Sequence, residues 1–214
     1  LDVVGWLATR EQATVRPVPL DAQGRVQAEA FDTALPGAAL ATALVANNEV
    51  GTLQDAAGLA RAASGAGVPL HLDAVSALGH VAVDFAGWRG HGSAAGGLAT
   101  MSVSAHKVGG PVGVGAAVVS RHARVTPLLH GGGQQRGLRA GTQDVAGAAA
   151  FAAAARAAEA ERESEAERLA GLRDRLVAGI RASIPRAGLL GDPVDRLPGN
   201  AHVLFPDAAG ETLL

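Results

Sequence analysis

The stretch from Leu40 to Asp73 constrains the fold more tightly than any other part of the sequence. A continuous apolar run, Leu40 to Ala46 (LATALVA), stops at the polar cluster Asn47, Asn48 and Glu49. That is the pattern of a strand buried on both faces that emerges into a loop. A helical stretch follows over Leu53 to Ala66, with Leu53, Ala56, Ala57, Ala60 and Ala63 keeping one face apolar. A turn at Gly67 closes it, and a second apolar run, Val68 to Leu72, ends at Asp73. Strand, helix and strand within about thirty residues make a βαβ unit, which implies parallel strands covered by helices.

The rest of the chain extends this α/β reading. Residues 1 to 38 alternate short apolar runs with turn residues, predicting a strand, a Pro/Gly turn and the approach to a helix. The glycine-rich stretch from Asp84 to Leu98 predicts a short helical turn and a surface loop. Ala99 to Val103 reads as a strand ending at SAHK, and VGAAVVS, beyond the turn Val108 to Gly113, reads as an antiparallel neighbour. After HGGGQQRGLRAGT, Thr142 and Asp144 offer N-cap chemistry to a long Ala-rich helix. Its charged second half keeps Leu169, Leu172, Leu176 and Ile180 on one face, and Pro185 ends it. Two short strand candidates, Gly188 to Leu190 and Ala201 to Phe205, predict a smaller α+β domain. The expected organisation is a large domain over residues 1–160, with a mostly parallel sheet flanked by helices, and the start of a small one over 161–214.

Composition narrows the function classes. The 214 residues carry a formal charge of -2 and are 3% aromatic with no Tyr, which gives neither a basic footprint nor stacking platforms for nucleic acid or anionic lipid. Zero Cys removes disulfides, thiolate metal sites and a cysteine nucleophile, and no metal site is expected. The most apolar window, Val145 to Ala158, is too short for a bilayer and is broken by Arg156. Leu1 opens with neither a basic nor an apolar leader region, so the expectation is a soluble, cytoplasmic protein with no nucleic-acid or membrane partner. With no initial Met and an end at GETLL, where another helix is expected to start, the chain reads as a segment of a longer one.

Three polar clusters fall at the carboxyl ends of expected strands: Asn47-Asn48-Glu49, Asp73 with Ser76, and Ser104-Ala105-His106-Lys107. In open α/β sheets that edge binds ligands. Taken singly, Asp73 suits a helix cap, the His-Lys pair a solvated turn and Asn-Asn a turn. Together they describe one ligand, because a heterocyclic nitrogen kept protonated by an acid, a phosphate bound by a hydroxyl and a carbonyl held by a lysine are what pyridoxal phosphate (PLP) requires. No strand is followed by GxGxxG, which sets aside a Rossmann-type nucleotide binder.

The ordered motifs ANNEVGTLQD, HLDAVSALGH, SVSAHKVGGPVGVGAAVV and HGGGQQRGLRAGT resemble the cysteine desulfurase group of the class V aminotransferases. The resemblance is strong over residues 40–145 and looser to the end, through GNAHVLFPDAAGETLL. It implies a PLP-dependent transferase of fold type I, with Lys107 holding the cofactor covalently and Asp73 paired with its ring nitrogen. It further implies His106 as a proton shuttle, Ser104 as a phosphate donor, Asn48 beside the 3'-oxygen, and Thr142 as a phosphate contact given across a homodimer interface. Ser76 stands where the family commonly has Gln, so its contact with the cofactor would be shorter or bridged by water. His130, Arg136 and Arg139 suit interface, substrate-entry or solvated loop roles and receive no catalytic one.

The activity implied is release of sulfur from L-cysteine or a similar amino acid as a persulfide, with alanine as co-product, for a sulfur-acceptor protein of iron-sulfur assembly or thiolation. The family's N-terminal portion and its persulfide cysteine are not in this sequence, so the chain by itself is expected not to desulfurate cysteine. Ser76 keeps open another class V enzyme, such as a selenocysteine lyase, aminotransferase or epimerase; a non-catalytic scaffold is the remaining alternative.

Overall fold

The computed structural model describes residues 2–90, 96–206 and 208–210. In chain order, helices α1 (Asp2–Arg10) and α2 (Ala28–Ala34) precede strand β1 (Ala41–Leu44), helix α3 (Ala56–Gly65) and strand β2 (Pro69–Asp73). The short helix α4 (Phe85–Arg89) leads to strands β3 (Gly97–Ser104) and β4 (Gly115–Val119). Helix α5 (Val145–Ser183) and the two-residue strands β5 (Gly188–Leu189) and β6 (Val203–Leu204) follow.

Side-chain alternation along β2 divides the molecule into a covered and an open face. Leu70 and Leu72 point one way and are fully buried, together with Leu98 and, nearly so, Met101. Pro69, His71 and Asp73 point the other way. Helix α3 covers the apolar face with Ala56, Leu59, Ala60 and Ala63. Its small side chains let it approach the sheet closely: a Cβ added to Gly97 would lie 3.1 Å from Ser64 Cβ. Asp55 caps α3 by accepting the Gly58 N–H at 2.8 Å.

The sheet has the order β1-β2-β3-β4, with the first three strands parallel and β4 antiparallel to β3. This is the expected α/β arrangement with a βαβ unit. Both expected tail strands form, each shortened to two residues, and they pair antiparallel. Helix α5 runs unbroken to Ser183, just before Pro185, and Asp144 is its cap through the Gly147 N–H. Thr142 plays no capping part.

Three expectations are corrected. The chain opens with helix α1 instead of a strand, and the following segment is extended with only an isolated Leu20–Val26 bridge. Pro17 and Pro19 lack the N–H groups that a ladder needs. Strand β1 is not buried on both faces within these residues: its side chains alternate in exposure, and Leu44 is 41% exposed. Helix α3 begins at Ala56, because Leu53 is held extended by its N–H to Asp195 O. Of the glycine-rich stretch, α4 forms the expected helical turn; the loop tip at 91–95 and the helix expected from GETLL (211–214) lie outside the described residues. Among the described residues no helix is long and apolar enough to cross a membrane.

On the open face His71 hydrogen-bonds Thr100 Oγ1 through Nδ1 at 2.8 Å. It helps to line a cavity of about 790 Å3 at the strand starts, with Leu40, Pro69, Arg89 and His122. Burial holds the His71 imidazole below its ordinary pKa of 6.5, and the Asp73 carboxylate only partly offsets this.

Two stability measurements test this layering. Leu72→Ala should cost about 2–5 kcal/mol in urea unfolding through lost burial and a cavity, whereas Leu44→Ala should cost about 1 kcal/mol or less. Since the unfolded chain binds a proton at His71 more readily than the folded one, stability should fall as pH drops through the ordinary imidazole range. His71→Gln should therefore narrow the gap in Tm between about pH 7.5 and pH 5.5, and an unchanged gap would contradict the assignment.

Candidate functional site

Parallel pairing carries the ends of β1, β2 and β3 to one edge of the sheet. Leu44 lies opposite Asp73, and Asp73 opposite Ser102. Ser104 is two residues further along β3, about 7 Å at the rise of a strand, and shares the face of Asp73. The edge therefore gathers Asp73 and Ser104 on the face that α3 leaves open. The cavity at the strand starts is at the other end of the sheet, and none of the expected site residues lines it.

Asp73 is half-buried and does not cap a helix. Its Oδ1 accepts the Val75 N–H at 2.8 Å, closing a local turn. Its Oδ2 has no partner among the described residues. The chain then coils through residues 74–80, with the N–H groups of Ala77 and Leu78 donating to Ala74 O. Ser76 is half-buried in this coil, and its hydroxyl makes no hydrogen bond among the described residues.

Beyond β3 a tight 3-10 turn spans Ala105–Val108. Ala105 is fully buried, and its backbone is fixed at both ends by Ala105 N–H to Val114 O and Gly110 N–H to Ala105 O. Gly109 supplies the left-handed conformation (φ 78°) that reverses the chain. With Ala105 anchored, His106 and Lys107 project to the exposed side. Ser104 Oγ and His106 Nδ1 lie 2.7 Å apart. The Lys107 ammonium has no ion pair among the described residues.

His80, unassigned by sequence reasoning although it ends the motif HLDAVSALGH, joins the two arms. Its Nε2 lies 3.2 Å from Lys107 O. Next to it, a Cβ on Gly79 would come within 2.9 Å of Val108 Cγ1 and 3.0 Å of Ala158 Cβ, so the coil, the lysine turn and α5 meet at backbone contact. One short loop thus starts at Asp73 and ends on the carbonyl of Lys107.

The third arm is the loop after β1. Asn47 Oδ1 accepts the N–H groups of Glu49 and Val50, both at 2.9 Å, while Asn47 N–H and Thr52 O close the base at 3.0 Å. Asn48 and Glu49 are exposed at its tip. Sequence reasoning missed what holds this loop from outside. Arg196 is buried, with four carbonyl partners: Leu190 O and Asp192 O on Nη1, Val50 O and Asn200 O on Nη2. Burial and then the nearby Arg173 lower its pKa from the ordinary guanidinium value. Asn200 Nδ2 donates to Asn48 O at 3.1 Å. Arg25 braces the tail by pairing with Asp195 and Asp192; those hydrogen bonds raise its pKa, while the Val194 N–H and then Arg25 lower that of Asp192. No hydrophobic period marks DPVDRLPGN, and the acceptors of Arg196 and Asn200 are backbone carbonyls, which leave no trace in a sequence pattern.

The structure therefore brings Asp73, Ser104, His106 and Lys107 to one edge, with Ser76 in the coil beside them and Asn48 on the adjacent loop. Thr142 is exposed before α5 and hydrogen-bonds none of them.

The aminotransferase class-V family model matches residues 3–213. An IscS-like cysteine desulfurase of Mycobacterium tuberculosis is 45% identical over 219 residues, covering 100% of this chain and 53% of its own length. The cysteine desulfurase NifS of Azotobacter vinelandii is 38% identical, covering 100% of this chain and 52% of its own length. Among solved structures, a NifS-like protein superposes with a TM-score of 0.90 at 32% identity, over 99% of this chain and 56% of its own. DndA from Streptomyces lividans superposes with a TM-score of 0.84 at 30% identity, over 99% and 58%. The chain thus spans about half the length of the curated relatives it matches.

Proposed function

The chain belongs to the aminotransferase class V family, and from that premise we propose that it is the PLP-binding part of a cysteine desulfurase-like enzyme of fold type I. One observation carries the reading. Of its 18 Lys and Arg residues, 17 are Arg, and the single lysine is Lys107. A guanidinium stays protonated and cannot act as an amine nucleophile, whereas a lysine can. A chain that uses arginine for every other basic side chain keeps its one primary side-chain amine on the sheet edge that also carries Asp73.

The residues present fit the cofactor. Asp73 offers an unengaged carboxylate oxygen for a protonated ring nitrogen, Ser104 a hydroxyl for phosphate, and Lys107 an amine free of ion pairs among the described residues. Gly110 leaves the turn without side-chain bulk: a Cβ there would stand 3.0 Å from Ala105 O. When bound, PLP supplies an electron sink for charge developing at the α-carbon of an amino-acid substrate.

The Ser104–His106 contact links binding to proton transfer. A serine hydroxyl has one proton. If it donates that proton to phosphate, Ser104 Oγ must accept from His106 Nδ1–H across the 2.7 Å contact. The imidazole is then left with Nε2 as a proton acceptor, the form needed to take a proton from a substrate. Lys107 holds the cofactor, Asn48 contributes a polar contact beside the 3'-oxygen, and Ser76 does so through its short hydroxyl or a water. Thr142, without a hydrogen bond to the site of its own chain, serves the phosphate of a second copy in a homodimer.

L-cysteine is the proposed substrate and alanine the co-product, with the sulfur passed through a cysteine thiol outside these 214 residues, which contain none. A sulfur-acceptor protein in the cytoplasm, of the kind that serves iron-sulfur assembly, is the proposed recipient. Residues 1–160 belong to the large domain and 161–214 to the start of the small one. Ser76 favours a second reading, a class V enzyme acting on a related amino acid without persulfide formation.

Borohydride reduction after incubation with PLP, followed by peptide mass spectrometry, should place the label on Lys107, and Lys107→Ala should lose it. Asp73→Asn should weaken PLP binding about 10- to 100-fold, the scale of one charge-assisted hydrogen bond. Label confined to the α-amino group of Leu1, or binding indifferent to both substitutions, would overturn the proposal.

A further inference from the structure

The tail segment Asp192–Asn200 touches the Asn48 loop so closely that its purpose goes beyond filling space. Gly191 lies where an added Cβ would collide with Val50 O, and Gly51, at φ +83°, lies where one would be 2.8 Å from Asn200 Oδ1. Neither crossing leaves room for a side chain. Leu197 N–H donates to Gly51 O at 2.8 Å and Leu53 N–H to Asp195 O at 2.9 Å. The fully buried Thr52 hydroxyl accepts Asp192 N–H and donates to Gln23 O. Arg196 Nη2 reaches Val50 O, and Asn200 Nδ2 reaches Asn48 O.

The contact is also kept at a cost. Arg196 Nε and Asn200 Oδ1 are buried without a hydrogen-bond partner among the described residues. A guanidinium hydrogen-bonded only to carbonyls, with its own Nε and the Asn200 Oδ1 left orphaned, is a poor way to gain stability; an apolar plug of similar volume would do that better. What this polar arrangement does, and an apolar plug would not, is hold the backbone carbonyls of Asn48 and Val50 in place.

We propose that Asn200 and Arg196 are positioning residues for the cofactor edge: they set the loop from which Asn48 faces PLP, so that tail and cofactor site are energetically coupled. The proposal rests on the reading of that edge as a PLP site. Neither residue touches the reacting atoms; both act through the backbone of residues 48–50. The coupling is reciprocal, so a cofactor held at Asn48 stabilises the tail contact as much as the tail contact favours the cofactor.

The test replaces one donor without changing shape. In the full chain, Asn200→Asp keeps the outline of the side chain but loses the N–H that binds Asn48 O. PLP affinity, followed by visible absorbance, should fall about tenfold at neutral pH, and hydrogen exchange at amides 48–53 should rise. Mild acid should restore affinity in this variant relative to the unmodified chain, because the introduced carboxyl, once protonated, again donates. Val68→Ala, which opens a cavity just before β2 at the end of the sheet opposite the cofactor edge, should lower Tm without moving either readout. Arg196→Met should behave as Asn200→Asp does, without the recovery in acid.

If the unmodified chain binds PLP at Lys107 and Asn200→Asp binds it no more weakly than Val68→Ala, or shows no added exchange at 48–53, the positioning role is wrong and the cofactor reading stands. If the unmodified chain takes up no PLP, the cofactor reading fails and the inference falls with it.

Discussion

Register between β1, β2 and β3 is the constraint on which everything else depends. Because side chains alternate along a strand, a slip of one residue in β2 would send Leu70 and Leu72 to the open face and His71 and Asp73 into the helix-covered core. Full burial of both leucines under α3 forbids that slip. The same pairing that buries the leucines fixes Asp73 at the strand end, opposite Leu44 and Ser102. The apolar core thus determines where the carboxylate sits.

Around that fixed carboxylate, three loops are restrained by different means. The lysine turn is held from below by buried Ala105 and from the side by His80 on Lys107 O. The coil from Asp73 to His80 is short and internally hydrogen-bonded, so it acts as a spacer between acid and amine. Among the described residues the Asn48 loop is held by its own base contacts, by the Thr52 hydroxyl on Gln23 O and by the tail. It is the arm most dependent on long-range structure, and its tail partners lie about 150 residues away in sequence, so their cost in chain entropy is met only once the tail has docked.

Much of this was legible in the sequence wherever burial writes a period. The βαβ unit, the antiparallel return after SAHK, the long helix and the paired tail strands follow from runs and alternation, because those patterns record which side of an element meets the core. The placement of Asp73, Ser104, His106 and Lys107 on one edge follows from the same logic, since each ends or follows an apolar run. Sequence reading erred where context overrides pattern. Helix α1 is mostly exposed, so no core face marked it, and β1 alternates in exposure although its apolar composition suggested two covered faces. His80, Arg196 and Asn200 were missed because each engages a backbone carbonyl, an acceptor that every residue provides and no residue type announces.

The two basic side chains that matter most here are used in opposite ways, and proton affinity explains why. Arg196 is buried among carbonyls with its pKa lowered, yet a guanidinium is basic enough to keep its charge, so it holds four acceptors at once. A lysine in that position would be far easier to neutralise by burial and would offer three donors without the planar fork. Lys107 is in the reverse situation. It is exposed and single in the turn that follows β3, and on the proposed reading it acts as an amine nucleophile where a guanidinium would be inert. On the proposed reading, exchanging the two residue types would therefore damage both sites: one needs a charge that survives burial, the other an amine nucleophile.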